Sequence, residues 1–237
     1  MQRFFIEEKL EQQSFIKLNR EIEHQCKNVL RYKDDELIEL LDDQHHLALA
    51  SLKFTDEGLM ASIKEIKTVV VNDLKITLIQ ALIKKDKWEF VLQKATELGV
   101  YQIVPLILKR NVVKWEAKEI PSKLKRDQKI IQEAAEQCER LTCPKILAPI
   151  RIQDIEQVMS EQNFVAYEDE TQVTLKHCLE TKQSYSIVIG PEGGFTEDEI
   201  NQLNEIGFKS VSLGPRILRA ETAALVGINT IQTLIEL

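Results

Sequence analysis

The stretch IGPEGGFTEDEI, residues 189–200, places three glycines and a proline within five residues, although the whole chain holds only eight glycines. The apolar run SYSIVI precedes it, and Thr196 with Glu199 has the spacing of a capping box, which predicts the start of a helix. The glycines therefore follow the carboxyl end of a strand. Open α/β sheets bind ligands at that edge, and glycine lets the backbone approach them closely. The alternative is a tight turn that needs glycine for its geometry alone.

A second stretch, LGPRILRAETAALVGI at residues 213–228, repeats this arrangement. The run SVSLG ends a strand, a Gly-Pro loop follows, and a helix is predicted over residues 220–235. The two loops are expected to face each other across one crevice, with apolar walls from Leu213, Ile217 and Leu218. Neither loop has the glycine spacing or the lysine of a phosphate-binding loop. The pattern favours an adenosine-bearing ligand without a polyphosphate, and Glu192 and Glu221 favour a cationic group on it.

The region after residue 72 alternates strands with helices. Apolar strands are predicted in KITLIQALI, VYQIVPLIL, KILAPI, NFVAYE, SYSIVIG and SVSLG, and helices over residues 86–99 and 121–141 as well as at the C-terminus. Near-continuous apolar strands separated by helices predict an α/β fold with a parallel sheet covered on both faces.

The first 72 residues have a different pattern. Short strands are predicted in RFFI, ELIELLD, HLALASLKF and LMASIKEIKTVVV, separated by acidic turns, and EIEHQCKNVLR is predicted to be helical. In that helix Ile22, Cys26, Val29 and Leu30 would share a face. Short strands broken by turns predict a small β-barrel. The sequence thus divides into domains at residues 1–72 and 73–237.

Composition and charge exclude several classes of protein. The net charge of −7 argues against a general nucleic-acid coat, although basic clusters at residues 84–87, 109–114 and 123–129 suggest either a solvated surface or a polyanionic partner. No apolar run has the length of a membrane span and no signal peptide is recognised, so a cytoplasmic location is the default. The four cysteines and four histidines lack metal-ligand spacing, and no metal is expected.

The two Gly-Pro stretches together resemble the C-terminal signature of the bacterial 16S rRNA uridine-N3 methyltransferases, which belong to the SPOUT superfamily. The resemblance extends to QKATELGV at residues 93–100, EAAEQCER at 133–140, and the N-terminal MQRFF and HQCKNVLR segments. It therefore touches nearly the whole chain. One departure lies at residues 33–36, KDDE, where family members usually place a glycine, so this turn is expected to differ in detail.

The resemblance implies a fold and a function that periodicity alone does not give. The C-terminal domain would be a SPOUT α/β trefoil knot that binds S-adenosylmethionine, and the N-terminal domain a PUA-like β-barrel that helps bind RNA. The enzyme would be a homodimer, and its substrate 16S rRNA or the small ribosomal subunit. Methyl transfer from a sulfonium needs no metal, but the proton on N3 of uridine must be removed or polarised, and charge then develops on the flanking carbonyl oxygens.

The same resemblance assigns roles to residues. Arg219 is the predicted catalytic residue, as an electrostatic stabiliser or uridine clamp; the alternative is a structural ion pair with Glu221 or Glu192. RNA contacts are predicted at Arg3, His24, Arg31 and Arg110, with a solvated helix face as the alternative for His24 and Arg31. The general base is not identified. The predicted cofactor pocket comprises Tyr167, Glu168, Gly190, Pro191, Glu192, Gly193, Leu213, Gly214, Ile217, Leu218, Glu221, Thr222 and Ala223.

Three other functions remain open from the sequence. A non-catalytic RNA-binding or ribosome-assembly module would retain RNA without needing a cofactor. A kinase-like α/β enzyme is disfavoured because the phosphate-loop lysine is missing. A SPOUT enzyme with another RNA target is excluded least well, since the choice of RNA depends on surface shape.

Overall fold

The computed structural model describes residues 1–10, 15–72 and 74–235. The chain forms two compact units, one of Met1–Asn72 with Ala135–Cys143 and one of Asp73–Ala134 with Pro144–Leu237. Each unit has its own buried apolar core. Across the described residues, no helix combines the length and the apolar character that a membrane span requires.

The first unit contains a five-stranded sheet. Its strands are β1 (Arg3–Phe5), β2 (Phe15–Lys17), β3 (Leu37–Leu41), β4 (His46–Thr55) and β5 (Gly58–Thr68). The hydrogen-bonded order is β1-β3-β4-β5-β2, in which β1 and β3 are parallel and the other pairs antiparallel. Four strands lie in segments that the sequence predicts, whereas β2 was not predicted because three residues give no readable alternation. The β-barrel stays a prediction.

The helical segment of this unit is wound in two ways. Helix α1 (Arg20–His24) begins after Asn19, whose side chain accepts a hydrogen bond from the amide of Ile22, and a π-helical turn follows at Gln25–Val29. The wider π turn rotates later residues off the predicted face. Ile22 and Cys26 are therefore buried, whereas Val29 is 65% exposed, contrary to the sequence prediction.

Two tight turns in this unit use non-glycine residues with a left-handed backbone. Arg31 ends the helical segment with φ 56°, and Asp35 has φ 67° in the turn at residues 33–36, which was expected to differ in detail. Aspartate tolerates this conformation better than most residues, because its short polar side chain can bond locally. The side chain of the preceding Asp34 accepts the amide of Phe54 at 2.8 Å, which holds the turn against β4.

Arg3 has a structural environment instead of the predicted RNA contact. Its side chain is 7% exposed, and its guanidinium donates to Glu39 Oε2 from Nε at 2.9 Å and from Nη2 at 2.5 Å. The Nη1 group donates to the backbone carbonyls of Glu139 and Arg140. Because the guanidinium is buried and makes four hydrogen bonds within this unit, we assign Arg3 to the folding of the unit and correct the prediction.

Asp42 is a second buried anchor of the first unit. Its side chain is fully buried and accepts hydrogen bonds from the amides of Leu10, Gln44 and His46 and from the ring of His46. Burial disfavours its charge, but these hydrogen bonds outweigh burial and lower the pKa of Asp42. Because the folded-state pKa is lowered, the stabilisation is present above about pH 4 and is lost as the pH falls through that pKa.

We therefore expect Asp42→Ala to lower the free energy of unfolding of the first unit by about 2–4 kcal/mol at pH 7, since three backbone amides, that of Leu10 buried, lose their acceptor. Urea unfolding at pH 7 and at about pH 3 measures this, and the difference between variant and wild type should shrink at the lower pH. The exposed neighbour Asp43, changed to alanine, is the matched control. A loss for Asp42→Ala no larger than the control's would contradict this assignment.

The second unit is built on a six-stranded parallel sheet, which confirms the predicted α/β class. Its strands run in the order β11-β9-β10-β6-β7-β8, with every neighbouring pair parallel. The strands are β6 (Lys75–Ala81), β7 (Gln102–Leu106), β8 (Lys145–Ile146), β9 (Gln162–Ala166), β10 (Ser184–Ile189) and β11 (Lys209–Val211). The helices are α2 (Lys85–Glu97), α3 (Ile120–Gln137), α4 (Leu175–Cys178), α5 (Glu197–Ile206) and α6 (Ala220–Ile235), with 3₁₀ turns at Ala117–Glu119 and Ile152–Val158.

Helices cover both faces of this sheet. On one face Val188 of β10 belongs to a core with Phe195 and with Leu203 of α5. On the other face a Cβ on Gly227 of α6 would lie 2.4 Å from Ile187 Cδ1, so glycine permits the helix to approach the sheet closely. The capping box of Thr196 and Glu199 is confirmed at the start of α5.

The register of the strands sets the location of the site. Ile189 at the end of β10 lies opposite Gln80 of β6 and Ala166 of β9, and Ala166 lies opposite Val211 of β11. The carboxyl ends of four strands are thus level with one another. The loops that follow them therefore emerge along one edge of the sheet.

Candidate functional site

A cavity of about 740 Å³ lies at this edge of the sheet, lined by the residues that follow β9, β10 and β11. Both Gly-Pro loops line it, so the structure brings together the two stretches that the sequence singled out. Gly193, Glu221 and Thr222 belong to the predicted set but do not line the cavity. The predicted residues that do line it are Tyr167, Glu168, Gly190, Pro191, Glu192, Leu213, Gly214, Ile217, Leu218, Arg219 and Ala223.

The loop after β10 is fixed by hydrogen bonds to Arg110. The Nη1 group of Arg110 donates to the carbonyls of Gly193 at 3.2 Å and Phe195 at 2.8 Å. A Cβ on Gly193 would lie 3.2 Å from Arg110 Cβ and the Arg110 carbonyl. Gly193 therefore makes room for Arg110 instead of facing the cavity, and Arg110, predicted as an RNA contact, has a role in bracing the loop.

Gly194 and Gly190 make room for two other side chains. Gly194 has φ 67°, a left-handed backbone that favours glycine, and a Cβ there would meet the tip of the Glu168 side chain. A Cβ on Gly190 would lie 2.7 Å from the ring of Phe195, which is buried in the core. The glycines of this loop thus serve close packing at three different contacts.

The loop after β11 presents two arginines beside the cavity. Ser212 Oγ donates to the carbonyl of Gly214 at 3.1 Å, and Gly214 has φ 131°, which shapes the turn. Arg216 and Arg219 are exposed, and neither guanidinium bonds to another residue in the described part of the chain. Ile217 is 86% exposed, so it lies at the rim and does not form the predicted apolar wall.

Lys87 of α2 is a lining residue that the sequence prediction missed. Its Nζ lies 3.6 Å from Glu192 Oε1 and 3.4 Å from Glu221 Oε2, and the amide of Lys84 also donates to Glu192 Oε1 at 3.3 Å. These two carboxylates therefore pair with Lys87, not with Arg219. The basic cluster at residues 84–87 was the only sequence signal for Lys87. Its ion pairs join residues that are far apart in the chain, so they can be recognised only when the fold is known.

Two other groups at the cavity are held by neighbouring residues. Glu170 accepts hydrogen bonds from the amides of Val173 and Gln172, and these lower its pKa. The Tyr167 hydroxyl donates to Asp169 Oδ2 at 2.9 Å, and this hydrogen bond raises the pKa of Tyr167. Both groups are thereby kept in their ordinary states, carboxylate and phenol, near neutral pH.

The remaining predicted RNA contacts lie on the surface of the first unit. His24 is at the end of α1, and Arg31 follows the π turn with its left-handed backbone. Both are exposed, and no hydrogen bond or ion pair joins their side chains to other described residues. Their side chains are therefore accessible to a partner.

Comparison with known proteins gives one consistent result. The model of a family described as an RNA methyltransferase domain matches residues 71–232. The ribosomal RNA small subunit methyltransferase E of Bacillus subtilis (strain 168) is 32% identical, over 100% of this chain and 98% of the relative. The protein of the same name from Rickettsia conorii is 34% identical, over 98% of this chain and 95% of the relative.

Solved structures agree with these sequence matches. Ribosomal RNA small subunit methyltransferase E from Neisseria gonorrhoeae, crystallised bound to S-adenosyl methionine, has a TM-score of 0.89 and 34% identity, covering 99% of this chain and 98% of that chain. A Legionella pneumophila structure in complex with the cofactor SAM has a TM-score of 0.90 and 29% identity, covering 98% and 96%. The chain thus belongs to the RNA methyltransferase family and, within it, to the ribosomal RNA small subunit methyltransferases E.

Proposed function

We propose that this protein transfers a methyl group from S-adenosylmethionine to N3 of a uridine in the 16S rRNA of the small ribosomal subunit. The observation that carries the proposal is the cavity that both Gly-Pro loops line at the carboxyl edge of the parallel sheet. Ligands of α/β enzymes bind at this edge. Membership of the family supports an rRNA substrate, and the choice of N3 comes from the resemblance of the loop sequences.

The cofactor is S-adenosylmethionine, and the residues present fit it. The cavity volume lies within the range of about 300–1,000 Å³ that small-molecule sites have. Leu213 and Leu218 supply apolar walls, and the loop backbones supply polar groups without a phosphate-binding lysine. Glu192, Glu221 and Lys87 together carry one net negative charge beside the cavity, which suits a cationic ligand. When bound, the cofactor supplies an electrophilic methyl group.

The chain's own residues would then act on the uridine. Loss of the N3 proton places negative charge on the base and its two flanking carbonyl oxygens. We propose that the unpaired guanidinium of Arg219 faces these oxygens and stabilises the charge as it develops. Holding the base and the methyl donor in line in one cavity supplies much of the remaining acceleration.

The wider architecture follows from the same proposal. Residues 73–237 would form the SPOUT domain with its trefoil knot, and residues 1–72 a PUA-like barrel that helps to bind RNA. We place RNA contacts at His24 and Arg31, whose side chains are exposed, and at Arg110, which also braces the cofactor loop. The active form would be a homodimer in the bacterial cytoplasm, where its rRNA substrate is made.

Mass spectrometry of rRNA nucleosides from cells with and without the gene tests the function. We expect 3-methyluridine to disappear from 16S rRNA in the deletion strain and to return when the wild-type gene is restored. Restoration with a catalytically inactive variant provides the control. Loss of a different methylated nucleoside would identify another target, and an unchanged nucleoside profile would support a non-catalytic role in ribosome assembly.

A further inference from the structure

The proposed reaction requires a group that accepts the N3 proton of the uridine, and the cavity holds few candidates. The carboxylates that line it belong to Glu168, Glu170 and Glu192, and Glu221 lies beside the lining. No histidine lines the cavity as the structure describes it. The inference rests on the proposed function, because only a reaction at a protonated nitrogen needs such a base.

Glu192 and Glu221 are unsuited to this role because both are paired. Lys87 lies within 3.6 Å of each, and Glu192 also accepts the amide of Lys84. The Lys87 ammonium and the Lys84 amide lie against carboxylate oxygens of these two residues, so those oxygens are already engaged within the protein. These two residues set the charge and position of the loops instead.

Glu170 and Tyr167 are also poor acceptors. Two backbone amides donate to Glu170 and lower its pKa, so its affinity for a proton is reduced. The raised pKa of Tyr167 keeps its hydroxyl protonated near neutral pH, and that hydroxyl already donates to Asp169. Neither group is prepared to take a proton from a substrate.

Glu168 differs from all of these groups. It follows the end of β9, lines the cavity, and makes no hydrogen bond or ion pair with any residue in the described ranges. Its Oε1 occupies the space that the missing side chain of Gly194 leaves open, so the loop after β10 limits where the carboxylate can lie. Glu168 is exposed, and neither of its carboxylate oxygens is engaged by another described residue.

We propose that Glu168 is the general base of the methyl transfer. The N3–H bond breaks, its proton forms an O–H bond with the Glu168 carboxylate, and its electron pair stays on the nitrogen. That pair forms the new bond to the methyl carbon, while the pair of the carbon–sulfur bond remains on sulfur. The proton then passes from Glu168 to water. Arg219, on the opposite loop, balances the charge of the base during the transfer.

The variant Glu168→Gln tests this role, because it keeps the size of the side chain and removes its basicity. With a 16S rRNA substrate we expect kcat to fall by about 10²–10⁴-fold. The affinity for S-adenosylmethionine, measured by calorimetry, and the affinity for RNA should both stay within about twofold of wild type. Glu205→Gln makes the same exchange at an exposed carboxylate of α5, outside the cavity lining, and should stay within about threefold in kcat.

Activity on a substrate with a more acidic N3–H group distinguishes a general base from a residue that has only a structural role. RNA that carries 5-fluorouridine at the target loses its N3 proton more readily, because fluorine withdraws electrons from the ring. We expect the kcat of Glu168→Gln to be at least about tenfold higher on this RNA than on the unmodified RNA. The reason is that a more acidic N3–H needs less help from a base. The wild-type enzyme should respond much less.

Three results would overturn the assignment: near-normal turnover of Glu168→Gln, no rescue by the fluorinated RNA, or a fall in cofactor affinity that accounts for the loss of activity. The last result would make Glu168 a ligand of the cofactor. If the wild-type enzyme itself forms no 3-methyluridine on this RNA, the proposed function fails instead, and the two failures are thereby distinguished.

Discussion

Arg219→Ala should lower kcat by about 10²–10³-fold while calorimetry shows S-adenosylmethionine binding within about twofold of wild type. The reason is that Arg219 lies at the cavity without a bonding partner among the described residues, so its charge is available to a substrate. Charge that develops on the uridine carbonyls during transfer is then no longer balanced. Single-turnover methylation of RNA, with cofactor and RNA in excess of their dissociation constants, measures the chemical step directly.

Two further variants define what Arg219 contributes. Arg219→Lys retains a charge but loses the planar, multidentate donor, and should recover only part of the rate. Arg151→Ala removes an exposed arginine elsewhere in the second unit and controls for net charge. A kcat of Arg219→Ala within about threefold of wild type would remove this residue from the mechanism. Loss of an electrostatic stabiliser of the transition state lowers kcat by more than that.

Gly190→Val should weaken S-adenosylmethionine binding by at least about 100-fold and leave the far-ultraviolet circular dichroism spectrum intact. A Cβ at this position would lie 2.7 Å from the buried ring of Phe195, and the ring belongs to a packed core. The loop, which follows directly from β10, therefore has to move away from its place in the cavity wall. Calorimetry with the cofactor alone measures the loss without any need for RNA.

Gly193→Ala, compared with Gly190→Ala, is the matched control for this loop. Its added Cβ would meet Arg110 at 3.2 Å, outside the cavity lining, so we expect a much smaller loss, about fivefold or less. The sequence assigned both Gly190 and Gly193 to the pocket, and of the two only Gly190 lines the cavity. Equal losses in the two variants would contradict this distinction, because they would mean that the loop responds to any added bulk.

Local features of the second unit could be predicted from the sequence because they depend on neighbouring residues. The capping box at Thr196, the left-handed Gly99 that ends α2, and the helix at Ala220–Ile235 all follow from short-range patterns. The alternation of apolar strands with helices likewise predicts the parallel sheet. These signals also place both Gly-Pro loops at carboxyl ends of strands, which is enough to locate the site.

Features that depend on distant residues could not be predicted in this way. Nothing in the chain near Lys87 indicates that it pairs with Glu192 and Glu221, since the contact exists only once α2, the loop after β10 and α6 meet. The burial of Arg3 against Glu39 is of the same kind. The π turn at Gln25–Val29 was missed for another reason: its wider winding has the same composition as an α-helix.

The place of β10 in the sheet also has a consequence for synthesis on the ribosome. This strand lies between β6 and β9, although it is made after both of them. Until residues 184–189 emerge, β6 keeps an unpaired edge and cannot be joined to β9, so the sheet forms late and through contacts between distant segments. Such topologies fold slowly and expose aggregation-prone edges. Nascent chains truncated just before residue 184 should therefore engage chaperones, whereas chains that include α6 should release them.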